Sequence, residues 1–410
     1  MKNFLSKYFG PSTLVTAAFI GPGTVTVCTI AGVESGFTLL WAIVFSVITT
    51  IILQEMTARL GLVTQSGFGE AIRSEIKLPL FRWAAIILVF GAIVLGNAAY
   101  EGGNISGAVL GFEELFFNMG FEINGINVPI TPLIIGGIAF LILFIGEIKL
   151  IEWLLIALVL IMSLVFLTTA IVVQPDIVAI LKGMFIPNID DGELLLVMGL
   201  VGTTVVPYNL FLHASIVKEK YRSVRELSDL RKENATAIII GGIISISIII
   251  TSGATIFGDE GIRSAADMAD QLTPLLGSWS GYFLGIGLFA AGISSAITAP
   301  LAAAYAAKGI LGWDDHTRSM KFRLVWGLIL LLGILASMFG GSPILIIQFA
   351  QVANGILLPI VAIFLIYLMN SSKLLGVYTN TVVQNLLGLL VIVVALALGF
   401  RSLNAVFQFL

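Results

Sequence analysis

The stretch FIGPGTVTVCTIAG, residues 19–32, decides the fold because it interrupts an apolar helix with two glycines, a proline and threonines. Of the 410 residues of the chain, 58% are hydrophobic and 11% are charged, and the mean hydropathy is +1.06. A water-soluble domain of this composition would aggregate, so the sequence predicts an integral membrane protein. The interruption therefore lies inside a membrane span, where unwound backbone needs a cavity or a ligand to satisfy its polar groups.

Apolar runs of about 20 residues, the length that crosses ~30 Å of hydrocarbon, recur along the whole chain. They predict an all-α protein, because a helix satisfies its own backbone in lipid. We expect one transmembrane domain over 1–400 with eleven spans, located near 11–34, 37–60, 80–112, 131–147, 150–174, 194–217, 235–258, 276–306, 322–340, 343–369 and 381–400. The lipid bilayer is therefore the first expected partner.

The basic residues indicate the orientation of these spans. With the amino terminus inside, eighteen of the 21 Lys and Arg residues fall on the cytoplasmic side and three on the other. This bias predicts a multi-pass protein of the inner (plasma) membrane with a cytoplasmic amino terminus and an external carboxyl terminus. The net charge of −3 and the lack of a basic block give no indication of nucleic-acid binding.

A second interruption follows five spans after the first, in GLVGTTVVPYNLFLHAS, residues 199–215. Matched Gly/Pro breaks in two halves of a membrane protein are typical of inverted-repeat transporters, whose substrate site lies between the breaks. We therefore expect repeats over about 11–174 and 194–369, with span 381–400 appended, and a transporter rather than an enzyme. The alternative is a pair of structural proline kinks.

Several motifs carry a resemblance that covers nearly the whole chain in order and spacing. FGPSTLVTAAFIGPGTVTVCTIAGVESGFTLLW, LQEMTARLGLVT, NLFLHAS, AQVANGILLP and NSSKLLG resemble the corresponding segments of the NRAMP (natural resistance-associated macrophage protein) metal-ion transporters. The resemblance implies a LeuT-like fold of eleven helices, with helices 1 and 6 broken. It also implies proton-coupled uptake of manganese or iron.

The resemblance fails at the residues that bind metal in that family. The family's first break reads Asp-Pro-Gly-Asn, and the positions of its Asp and Asn are Gly21 and Thr24 here. The second break reads Ala-Thr-Val-Met-Pro-His, and the positions of its Ala, Met and His are Thr203, Val206 and Tyr208. The carboxylate, the amide and the soft sulfur that would select a transition metal are therefore missing. We accordingly assign no metal-ligand set.

The expected substrate site consists instead of neutral groups that donate and accept hydrogen bonds. Its candidate residues are Gly21, Gly23, Thr24, Thr203, Thr204, Tyr208, Asn209 and Gln351, the last by its match to a substrate-proximal glutamine of the family. Amides at helix amino termini favour a carboxylate, so the first hypothesis is a small solute with an anionic group, such as an amino acid. The alternatives are a divalent cation, partly hydrated Mg²⁺ or Mn²⁺, and a transporter body that has become a sensor.

Two further residues are candidates for a proton pathway. Glu101 is an acid deep in span three, and an ionisable residue at that depth is a functional candidate by default. It matches an acidic position of the family's pathway, whereas the companion acid is Ala98 here. The resemblance also implies a role in proton exit for His213, for which a structural hydrogen bond is the alternative. We expect coupling to H⁺, no cofactor and a monomeric protein.

Overall fold

The computed structural model describes residues 20–123, 126–146, 149–190, 192–259, 261–313 and 316–407. Residues 11–19, the first half of the first predicted span, lie outside the described residues. The described chain is helical apart from loops and one antiparallel hairpin, in which β1 (Gly120–Ile123) pairs with β2 (Ile126–Pro129). The all-α prediction is thus confirmed.

The helices are numbered in chain order. They are α1 (Pro22–Ser35), α2 (Leu40–Thr64), α3 (Phe68–Glu75), α4 (Pro79–Leu115), α5 (Thr131–Ile145), α6 (Lys149–Val172), α7 (Ile177–Phe185), α8 (Leu194–Thr204), α9 (Pro207–Lys220), α10 (Leu227–Thr255), α11 (Ala265–Ala269), α12 (Thr273–Leu276), α13 (Ser280–Leu311), α14 (Met320–Phe339), α15 (Pro343–Met369), α16 (Ser372–Leu375) and α17 (Val382–Phe407).

Nine helical segments of the described chain are long and apolar enough to cross a membrane. They occupy nine of the eleven predicted positions, with α8 and α9 forming one segment. The other two positions hold α1, whose preceding residues lie outside the described chain, and α5, which has 15 residues. Because a helix rises 1.5 Å per residue, α5 spans only about 22 Å. The limits predicted for the two repeats stay predictions.

The second break is confirmed, but it is shorter than the sequence predicted. Helix α8 ends at Thr204 and α9 begins at Pro207, so only Val205 and Val206 are non-helical. Pro207 fits the first helical position because its missing N–H group would have no partner there. Thr203 and Thr204, expected in unwound backbone, are instead the last residues of α8.

The start of α1 also differs from the prediction, because residues expected in unwound backbone are helical. Gly21 precedes the helix in an extended conformation, and helical backbone begins at Pro22. Gly23 and Thr24, expected in unwound chain, therefore lie in the first turn of α1. Proline at the first position of both α1 and α9 explains why each helix begins where it does.

Helix α4 forms the centre of the bundle and packs against α13, α14 and α15. Glycines permit this close packing. A Cβ atom at Gly111 would lie 2.5 Å from the Gly285 carbonyl oxygen, and one at Gly292 would lie 2.7 Å from the Cα atom of Ala108. Helices in lipid associate through such close contacts, because burial from water contributes little there.

Ion pairs join the helices on the side expected to face the cytoplasm. Arg59 of α2 pairs with Glu55, four residues earlier on the same helix face, and Glu55 also pairs with Arg231 of α10. Lys218 at the end of α9 pairs at 2.9 Å with Glu70 of α3, a helix that lies outside the spans. Partial burial works to raise the pKa of Glu70. Hydrogen bonds from Lys218 and from the Gly67 amide, together with nearby lysine charges, outweigh burial and hold this pKa below its usual value.

We expect Gly111→Ala to lower the melting temperature of the detergent-solubilised protein, because the added methyl group meets α13 and overpacking costs about 1–3 kcal/mol. Gly91→Ala is the matched control on the same helix, since a Cβ atom there meets nothing within 4 Å. Alanine is the better helix former by about 1 kcal/mol, so this variant should melt no lower than the wild type. Equal melting temperatures for the two variants would contradict the packing described for α4.

Candidate functional site

Three helices meet at the two breaks. The hydroxyl of Thr24 in α1 lies 2.8 Å from the hydroxyl of Thr203 in α8, and the pair is buried. Gln351 of α15 lies against both helices. A Cβ atom at Gly23 would approach its side-chain Cδ to 2.6 Å, and one at Gly202 would approach its backbone carbonyl carbon to 2.8 Å. The absence of side chains at these two glycines therefore allows α1, α8 and α15 to touch.

Helix ends of opposite polarity converge on this contact. The amino terminus of α1 has no side-chain cap, so the amides of its first turn keep their partial positive charge. The carboxyl end of α8 supplies carbonyl groups, which carry partial negative charge. The region can therefore hold a cation at the α8 carbonyls or an anion at the α1 amides.

The buried side chains around the breaks include neutral groups without protein partners. Both polar atoms of the Asn209 side chain and the Oε1 atom of Gln351 make no hydrogen bond within the described chain. Asn209 is fully buried and Gln351 is 1% exposed. Because buried polar groups are nearly always hydrogen-bonded, such atoms in a native site indicate a ligand or water. Among the described residues, no group of three or more His, Cys, Asp or Glu is placed to hold a metal ion.

A small cavity lies beside the second break. It measures about 10 Å³ and is bordered by Asn97 of α4, Pro207 and Tyr208 of α9, and Asn354 of α15. The Oδ1 atom of Asn97 and the Nδ2 atom of Asn354 have no protein partner in the described chain. The cavity is close to the smallest space that accommodates one water molecule. The signal for Asn97 in the sequence was weak, since it is one of two asparagines in GNAAYEGGN.

Glu101 of α4 lies in the membrane interior. It follows Tyr100, which contacts the second break. Its side chain is fully buried and accepts a hydrogen bond of 3.2 Å from Asn104. It packs on α14, where a Cβ atom at Gly333 would lie 2.8 Å from that of Glu101. The neighbouring Tyr100 ring contacts the Tyr208 ring, with 5.3 Å between their centroids. The acid is therefore close to the break, and its place in a proton pathway stays a prediction.

His213 lies apart from the breaks. It is fully buried in α9, and its Nδ1 atom hydrogen-bonds to the side-chain oxygen of Gln54 in α2. Gln54 was not among the expected site residues, because its only signal was an amide in an apolar span. Thr204 also turns away from the Thr24–Thr203 pair, because its hydroxyl donates to the carbonyl of Leu200 in its own helix. A role for either residue in transport stays a prediction.

The site is closed to water in this conformation. Thr24, Thr203 and Asn209 are buried, and the segment that contains α11 contacts α1. In that segment, buried Gln271 donates a hydrogen bond of 2.8 Å to Thr29 of α1. Ser35 at the end of α1 hydrogen-bonds to Glu193, which precedes α8. These contacts tie α1 to α8 and to the segment that contains α11 in the closed state.

Comparison with known proteins finds a family model that covers most of the chain. The model described as natural resistance-associated macrophage protein-like matches residues 12–404. A divalent metal cation transporter, MntH of Yersinia pestis (strain Pestoides F), is 29% identical over 399 residues, which cover 95% of this chain and 93% of the relative. The metal transporter Nramp3 of Oryza sativa subsp. japonica is 28% identical over 402 residues, which cover 93% of this chain and 70% of the relative.

Solved structures share the fold. A variant of the manganese transporter of Eremococcus coleocola superposes with a TM-score of 0.77 at 21% identity, covering 97% of this chain and 86% of that one. Mhp1, a nucleobase-cation-symport-1 family transporter, superposes with a TM-score of 0.57 at 16% identity, covering 98% and 93% of the two chains. The predicted LeuT-like arrangement is confirmed.

We expect Gln54→Leu to destabilise the protein, because it leaves the His213 Nδ1 atom buried without its partner, at a cost of about 1–3 kcal/mol. His213→Phe should also destabilise it, by leaving the Gln54 amide unpaired. The double variant should lose less stability than the sum of the two single variants, because neither partner is then left alone. Melting temperatures in detergent measure this cycle, and strictly additive losses would contradict the hydrogen bond.

Proposed function

The chain belongs to the natural resistance-associated macrophage protein-like family, and from that premise we propose that it is a secondary transporter of divalent cations. We further propose that it carries the cation with part of its water shell. Transport would proceed by alternating access around the contact of α1, α8 and α15. Mg²⁺ is the first proposed substrate and Mn²⁺ the second.

The observation that carries this proposal is the set of neutral oxygens at the breaks. The hydroxyls of Thr24 and Thr203, the amide oxygens of Asn209 and Gln351, and the carbonyls at the end of α8 are all hard donors. Complete removal of water from a divalent ion at this depth would need compensating negative charge. No carboxylate is among these groups, so the ion must keep water ligands. Mg²⁺ fits best because it gives up its water reluctantly.

The small cavity beside Tyr208 supports a hydrated cation. Its volume of about 10 Å³ is close to the minimum for one water molecule, and Asn97 and Asn354 at its border have an acceptor and a donor without partners in the described chain. A water ligand of the ion could therefore find hydrogen-bond partners in the protein. The names of the relatives, which refer to divalent metal cations and to metal, support the class of substrate.

The anionic solute that the sequence favoured is the weaker candidate. Its binding site would be the amides at the start of α1, but the side chain of Gln351 occupies the space next to Gly23. An amino acid carboxylate could reach those amides only after Gln351 moved. The relatives are named as transporters, which gives no support to the sensor alternative.

Glu101 is the residue we propose for coupling to H⁺. Within the described chain its carboxyl group makes no ion pair with Lys, Arg or His, and only one of its oxygens has a hydrogen-bond partner. It could therefore exchange a proton as the cation moves, without first breaking an ion pair. We also propose a plasma-membrane location with a cytoplasmic amino terminus, in line with the distribution of basic residues.

Uptake into proteoliposomes tests the proposal. The purified protein is reconstituted with a Mg²⁺-sensitive dye inside the vesicles, and protein-free vesicles give the background. We expect saturable Mg²⁺ uptake, and Mn²⁺ uptake in a parallel assay. Gln351→Leu should reduce uptake by about tenfold or more, because it removes a cation ligand worth at least ~1.4 kcal/mol.

Gln348→Leu is the matched control for Gln351→Leu. It makes the same substitution three residues earlier on α15, at a position that lines an outer groove. This variant should keep wild-type uptake. Folded protein that transports neither cation would overturn the proposed function. If Gln351→Leu leaves cation uptake unchanged, the proposed cation substrate would stand and the proposed binding site would be overturned.

A further inference from the structure

A groove lies far from the substrate site, where α13 ends and α14 begins. It has a volume of about 200 Å³ and lies between these two helices and the end of α5. Its lining includes Phe144, Tyr305, Arg318, Arg323 and Trp326. The groove is on the same side of the bundle as the loops that follow α2 and α9, which is the side expected to face the cytoplasm. No Asp or Glu is among the described residues that line it.

Arg323 is the central cation of this groove. Its side chain is half-buried, and its guanidinium lies 4.6 Å from the centre of the Phe144 ring. In the part of the chain that the structure describes, this guanidinium donates no hydrogen bond and forms no ion pair. A partly buried guanidinium with its five donors unused favours an anion that can accept them. Arg318 lines the same groove and also has an interaction elsewhere, so the inference rests on Arg323.

Most of the other residues that line the groove are apolar, and the groove adjoins the lipid-facing surface. Trp326 and Phe322 are buried at its base, and the Phe140 ring packs on Trp326. Side chains just outside it, such as Leu141 and Leu324, are exposed and apolar, as expected of helix faces that contact lipid. One end of the groove therefore suits a hydrocarbon chain, whereas the other presents positive charge at the membrane–water boundary.

From this arrangement we propose that the groove binds an anionic phospholipid, whose phosphate accepts hydrogen bonds from Arg323. Arginine binds phosphate oxygens through two parallel N–H donors. An anionic lipid surface attracts the guanidinium more strongly than a zwitterionic surface does. Basic pockets between helices at the cytoplasmic boundary are a recurrent site for lipid headgroups. The lipid would join α5 to α13 and α14, and its binding does not depend on which solute the protein transports.

The test measures stabilisation by added lipid. The melting temperature of the purified protein in detergent is recorded with phosphatidylglycerol, with phosphatidylcholine and with neither. We expect phosphatidylglycerol to raise the wild-type melting temperature more than phosphatidylcholine does. Arg323→Gln should lose most of that difference and should bind phosphatidylglycerol about fivefold more weakly, as expected for one basic residue near the membrane surface.

Lys321→Gln is the matched control, because it removes the same charge from the same helix. Lys321 lies over the Trp313 ring and does not line the groove. This variant should keep the wild-type response. Native mass spectrometry, which counts retained phosphatidylglycerol on folded protein, gives a second readout if Arg323→Gln lowers stability by itself. Fewer retained lipids than in Lys321→Gln would support the site.

Three results would overturn the proposal. Equal stabilisation of the wild type by both lipids would remove the preference for anionic lipid. An equal loss in Lys321→Gln and Arg323→Gln would show a general effect of surface charge. The same stabilisation by inorganic phosphate alone would show that the groove binds a free anion and that the hydrocarbon chain contributes nothing.

Discussion

The structure depends on the contact of Gln351 with two glycines that lie on different helices. Gly23 and Gly202 have no side chains, so α1 and α8 both lie against the same residue of α15. Any larger residue at either position would collide with Gln351 and separate the helices. The hydrogen bond between Thr24 and Thr203 joins α1 and α8 beside this contact. The amide end of one helix and the carbonyl end of another are thereby brought to one buried point.

This contact also sets the chemistry of the site. Among the residues that the structure describes, it places neutral hydroxyl, amide and carbonyl oxygens around the breaks, with no carboxylate or thioether in this group. Under the proposed function, a divalent ion in this candidate site would keep part of its hydration, since neutral oxygens alone cannot offset the loss of all its water. Selection among cations then depends on size and on the cost of dehydration rather than on ligand softness. The family fold is thus retained while the ligand set differs from the one the family motif implies.

Local sequence patterns were sufficient to predict an all-α membrane protein, the second break and a helix start near Pro22. Proline and glycine disrupt helices through their own backbone properties, so the interruptions near Pro22 and Pro207 could be located without any tertiary information. The Glu55–Arg59 pair was also predictable, because residues four apart lie on the same face of a helix. The exact limits of the non-helical backbone could not be predicted, because helical backbone extends closer to each proline than the polar composition of the two stretches indicated.

The contacts between distant segments could not be read from the sequence. The pairing of His213 with Gln54 joins residues 159 positions apart, and no periodicity links them. The place of Gln351 beside Gly23 likewise follows from how three helices cross. This second contact alters the functional interpretation, because the space expected for an anionic substrate is filled. The groove at Arg323 could not be predicted either, because its residues come from three helices whose packing the sequence does not specify.

The most direct test of the central claim is the number of water ligands that a bound cation keeps. Mn²⁺ can replace Mg²⁺ as a paramagnetic probe, and electron–nuclear double resonance in isotopically labelled water detects the water molecules bound to it. We predict that Mn²⁺ bound to the purified protein keeps several water ligands, and that Gln351→Leu weakens Mn²⁺ binding about tenfold. A bound ion without water in its first shell would contradict a partly hydrated substrate.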